Sequence, residues 1–142
     1  MELAVSRGLC KARAHGICEG CGGYVGGALD AHHRQARGMG GVSRAAAVVA
    51  NDVRNLLALC RACHDRTEEA SEWAFCISVG WRIPHYVEVD PRWVPAMIHT
   101  VNGYGWWRLH EDGGYVWVGF ETTTRIEYDS ECPSGWTTVS SG

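Results

Sequence analysis

Apolar residues recur at Ala70, Trp73, Ala74 and Ile77, the i, i+3, i+4, i+7 spacing of a helix with one buried face. The helical pattern runs over residues 64–79, and Gly80 stands where it would stop. Upstream, residues 2–15 mix apolar and basic positions and predict a short helix. Residues 29–34 predict a short extended segment, and residues 45–50 a helical turn. Asn51 and Asp52 can cap or turn, and Leu56-Leu57-Ala58-Leu59 reads as an apolar strand. Beyond residue 80 the texture changes. Pro84, Pro91 and Pro95 interrupt a stretch rich in Trp and Val. Residues 106–110 and 115–120 then flank Glu111-Asp112-Gly113-Gly114, which predicts a β-hairpin. The polar stretch 121–142 reads as an edge strand or a tail. The pattern implies an α+β chain divided into residues 1–80 and a β-rich C-terminal extension, 81–142.

Composition changes this picture in one respect. Residues 1–66 carry nine Lys/Arg against five Asp/Glu, whereas residues 67–142 carry four against eleven. The basic half suits a phosphate-bearing partner, although charge also simply solvates a small domain. No apolar run is long enough to span a bilayer. The first residues lack the apolar segment of a signal peptide, so the expected compartment is the cytoplasm.

Seven cysteines in such a compartment favour metal over disulfides. Cys18/Cys21 and Cys60/Cys63 form two C-x2-C pairs, and six glycines crowd residues 16–27 around the first. Two such knuckles supply four thiolates to one tetrahedral zinc, a site that contributes folding free energy directly. A redox C-x-x-C is the weaker alternative, because there are two pairs and no βαβ context. Cys10, Cys76 and Cys132 stand apart and read as free thiols.

Between the knuckles lies Asp30-Ala31-His32-His33-Arg34, and His64 directly follows the last cysteine. Closing the zinc site would bring His32, His33 and His64 near one another, free to hold a second metal. Adjacent strand residues face opposite ways, so one of the pair can grip a metal while the other faces a substrate. Glu68 stands one helical turn from His64, as a ligand or as a solvated helix charge. A buried Asn55 amide could hold the backbone that presents the histidines. An asparagine there is equally a turn former, and Asn51 competes for the role. Arg34, Arg37 and Arg44 are candidates for phosphate contacts or ordinary surface arginines. His15, His85, His99 and His110 have no partner spacing.

The stretch Cys18-x2-Cys21…Asp30-Ala31-His32-His33-Arg34…Asn55-Leu56-Leu57-Ala58-Leu59-Cys60-x2-Cys63-His64 resembles the HNH endonuclease family. The run Arg37-Gly38-Met39-Gly40-Gly41 further resembles HNH proteins encoded by actinobacterial phages. The resemblance covers residues 15–70. It implies a ββα-metal core with a four-cysteine zinc site, followed by a Trp-rich β-hairpin region. It implies hydrolysis of double-stranded DNA with one catalytic divalent metal (Mg2+, Mn2+, Ni2+ or Zn2+) beside the structural Zn2+, leaving a 5′-phosphate and a 3′-hydroxyl. In that scheme His33 is the general base, and His32 and His64 are metal ligands. Asn55 holds the loop and orients the base. Many members carry a histidine where this chain has Glu68. The resemblance also implies the host cytoplasm as location. Two other functions stay open. One is a zinc-stabilised nucleic-acid-binding module that does not cut. The other is a phage DNA-packaging accessory, active only with packaging proteins.

Overall fold

The first helix, α1 (Leu3–Ala14), buries Ser6, Cys10, Arg13 and Ala14, a single stripe at i, i+4, i+7, i+8. Lys11 and Arg13 complement the dipole of its last turn, and His15 ends it in the left-handed conformation at φ 51°. This computed structural model describes residues 2–36, 44–121 and 124–140.

α1 lies against an antiparallel hairpin of β1 (Asp30–His33) and β2 (Leu56–Leu59), with Asp30 opposite Leu59 and His33 opposite Leu56. α2 (Arg44–Ala50) and a 3-10 turn at Val53–Asn55 join the strands; Asp52 caps that turn by accepting from the Arg54 N–H. All four β2 residues are fully buried, which explains why their run is continuously apolar rather than alternating. Around them the main core takes Cys10 and Ala14 from α1, and Trp81, Ile98, Trp107 and Leu109 from beyond residue 80. The stretches before and after residue 80 therefore bury one another.

The helix expected over residues 64–79 is two helices. α3 (Arg61–Glu68) follows β2 through Cys60, and α4 (Trp73–Ser78) follows a 3-10 turn at Ala70–Glu72. Glu69 between them is extended, at φ −77° and ψ 118°. That one residue resets the rotational phase. Cys63, Thr67 and Cys76 are buried, while Ala70, Trp73 and Ala74 are exposed. Trp73 instead carries the Arg82 guanidinium over its ring at 4.2 Å. Gly80 does stop α4: its N–H donates to Ile77 and the Trp81 N–H to Cys76, a Schellman closure. Its φ is +77°, and a side chain there would run into the Pro95 carbonyl.

The C-terminal part holds a meander of β3 (Ala96–Thr100), β4 (Gly103–Leu109) and β5 (Tyr115–Gly119). The expected hairpin is β4–β5, with an irregularity at Trp106/Trp107. β3 was not expected, because Pro95 masks its start. The polar stretch forms a second hairpin, β6 (Thr124–Tyr128) and β7 (Trp136–Ser140). No helix among the described residues is long and apolar enough to cross a membrane.

A buried ion pair ties these layers together. Glu19, fully buried between Cys18 and Cys21, accepts from Arg13 Nε and Nη2 at 3.0 Å. It also accepts from the Ala58 N–H at 2.6 Å and from the Tyr115 hydroxyl. One carboxylate thus joins α1, the first knuckle, β2 and β5.

Candidate metal centre

The four cysteines converge between the first knuckle and the start of α3. Their sulfurs all lie within 4.8 Å of one another, and Cys21 Sγ is 4.0 Å from Cys60 Sγ. A tetrahedral zinc with thiolate ligands has sulfur–sulfur edges of about 3.8 Å. The N–H groups of Cys21 and Cys60 point at Cys18 Sγ, at 3.5 and 3.2 Å, as they would at a thiolate. Gly22 makes the knuckle turn at φ +78°, where any side chain would meet the His99 ring. Burial pushes the Cys18 and Cys63 thiols up, so these sulfurs ionise readily only when a cation balances them. The group can hold a metal such as zinc, and its all-sulfur donor set fits one.

A second group lies where α3 crosses the β1–β2 hairpin. His32, His64 and Glu68 offer ligand atoms within 4.8 Å of one another. The His32 and His64 rings meet edge to face at 5.3 Å. Each histidine has one nitrogen committed. His32 Nε2–H donates to the Trp81 carbonyl at 2.9 Å. His64 Nδ1 and Asp30 Oδ2 are 3.0 Å apart. Such partners fix tautomer and ring orientation, leaving His32 Nδ1 and His64 Nε2 with lone pairs. Burial pulls the His32 pKa down to about 4, so the ring is neutral at pH 7. The hydrogen bond from His64, then the Arg61 charge, hold the Asp30 carboxyl below its usual range.

Asp30 joins this group although the sequence does not mark it as a site residue. The available signal was its i, i+2 relation to His32, which puts both on the strand face that meets α3.

The His33 side chain reaches toward the end of α2. Its Nε2 lies 3.4 Å from Asn51 Oδ1. Asn51, the asparagine that competes with Asn55 for this role, contacts His33. Asn55 does different work. Fully buried, it donates from Nδ2 to the carbonyls of Gln35 and Ala50, at 3.1 and 2.9 Å, and accepts from the Gln35 N–H at 2.9 Å. These bonds tie together the two ends of the segment between β1 and β2.

The arginines require a correction. Arg34 is 1% exposed, and its guanidinium donates to the carbonyls of Gly80 (2.8 Å), Pro95 (2.9 Å), Arg54 (3.1 Å) and Pro91 (3.3 Å). It is an internal strut and cannot reach a phosphate. Arg37 lies outside the described residues. Arg44 opens α2, and its side chain is likewise outside them.

No family model, curated protein or solved structure matches this chain.

Proposed function

We propose that the chain is a metal-dependent endonuclease of the HNH type that hydrolyses phosphodiester bonds in double-stranded DNA. The observation carrying this reading is the His32–His64–Glu68 group, set at a hairpin-to-helix junction directly after the four cysteines. A binding module needs the cysteines only. It has no use for two histidines and a glutamate that bring ligand atoms within 4.8 Å of one another.

The cysteines clamp the start of α3 against the first knuckle and so fix His64. His32, His64 and Glu68 would hold the divalent ion. When bound, that ion stabilises charge on the phosphate and on the departing 3′ oxygen. His33 takes a proton from the attacking water as the water oxygen bonds to phosphorus. The bond from phosphorus to the 3′ oxygen breaks, and that oxygen gains a proton from solvent. The products are a 5′-phosphate and a 3′-hydroxyl. Asn51 contacts the His33 ring, while Asn55 holds the backbone on both sides.

Cobalt substitution tests the ligand assignment. The parent should bind two equivalents, one with thiolate-to-metal absorption. His64→Ala should keep that band, lose the second equivalent and stop cutting plasmid. A His64→Ala variant that still binds two equivalents and cuts would refute the assignment.

A further inference from the structure

A cavity of about 280 Å³ opens beside the histidine group, lined by Arg7, Lys11, Asp30, Ala31, Arg61 and His64. His64 belongs to both, so the cavity adjoins the proposed metal site directly. Arg7 and Lys11 stand at i and i+4 on the outer side of α1, flanking the buried stripe, and both are exposed. Like charges at that spacing repel and slightly destabilise a helix. Arg61 faces them from α3 and is 71% exposed. Its guanidinium reaches Asp30 at 3.2 Å and Asp65 at 3.7 Å. Asp30 also accepts from His64, which leaves this carboxylate shared and the Arg7–Lys11 pair in excess.

We infer that Arg7, Lys11 and Arg61 form a phosphate subsite that holds the DNA backbone next to the bond being cut. This rests on the nuclease reading for the identity of the phosphate. It also supplies the contacts that Arg34, as an internal strut, cannot make. Two cations from α1 and one from α3 converge on one cavity, although Arg61 lies at least fifty positions from the other two in sequence. Such contacts set register and strength of binding without reading sequence.

The test compares the full-length, zinc-loaded parent with the double variant Arg7→Gln/Lys11→Gln and with Arg108→Gln, an exposed arginine on β4. Binding to a short fluorescein-labelled duplex is followed by anisotropy across a salt series, with no divalent metal added, and plasmid cutting is measured separately. Each lost phosphate contact lowers the salt slope by about 1, so the double variant should lose about 2 while Arg108→Gln keeps the parent slope. The KM for cutting should rise with kcat unchanged. An unchanged slope in the double variant, an equal loss in Arg108→Gln, or a parent that does not bind duplex would overturn the subsite. A parent that binds with the expected slopes but never cuts would leave the subsite standing and remove the nuclease reading.

Discussion

Replacing Arg34 separates an internal strut from a DNA contact. The guanidinium spends its donors on four backbone carbonyls drawn from the 3-10 turn at Val53–Asn55, the glycine after α4 and the two proline-bearing segments before β3. Arg34→Ala strands those carbonyls in the core and opens a cavity. Bonds to a charged donor are worth about 1.5–3 kcal/mol each, but the arginine's own desolvation offsets much of that sum. Each buried carbonyl left without a donor costs about 1–3 kcal/mol, and removing the buried charge offsets part of the total, so about 4 kcal/mol is expected here. At about 3–4 °C per kcal/mol, the thermal midpoint should fall by about 12–16 °C. Calorimetry and urea titration measure the loss directly. The residual folded protein, held well below its midpoint, should bind duplex DNA with the parent's salt slope. An unchanged midpoint together with a lower slope would refute the strut and restore Arg34 as a phosphate contact.

The other predictions probe the clamp, the loop and one ion pair. Cys60→Ser should prevent zinc binding and leave the chain largely unfolded by circular dichroism, because structural zinc contributes about 10–16 kcal/mol of apparent folding free energy in small zinc domains. Equal thermal stability of this variant and the parent would contradict a zinc cage. Asn55→Ala removes three hydrogen bonds around a fully buried amide and should cost about 3 kcal/mol in urea unfolding, with loss of cutting. Burial pushes the Asp52 carboxyl up, but hydrogen bonds from the Arg54 guanidinium and N–H outweigh it and hold the carboxyl below its usual range. Its stabilising effect is therefore present above the unfolded pKa of about 3.9 and is lost as pH falls through the lower folded value. Parent and Asp52→Asn should differ by about 1–3 kcal/mol at pH 7, and the gap should close below about pH 4. A gap that stays constant across that range would rule this pairing out.

Local patterns carried most of what could be read from the chain. Helix α1, the apolar β2 run, the β4–β5 hairpin and the stop at Gly80 depend on residues close in sequence, and all were legible. The four cysteines were legible because knuckle spacing is itself local. The broken helix was not, since nothing in the i, i+3 pattern marks Glu69 as extended. Arg34 misled because an arginine after two histidines looks like a substrate contact. Only the folded chain brings Gly80, Pro91 and Pro95 around it. The partners of the histidines were hidden for the same reason. Asp30 meets His64 across 34 positions and Trp81 meets His32 across 49. The Arg13–Glu19–Tyr115 network joins residues up to 102 positions apart, and its buried charges run against the tendency of such residues to stay outside.

Supercoiled plasmid incubated with purified protein and Mg2+, Mn2+, Ni2+ or Zn2+, beside His33→Ala, tests the central claim most directly. The parent should convert plasmid to nicked or linear form only when a divalent ion is added, with 5′-phosphate ends. His33→Ala should keep the parent's fold and zinc content while cutting at least 100-fold more slowly, about the contribution of a positioned general base. No metal-dependent cutting by the parent, or equal cutting by His33→Ala, would contradict the account.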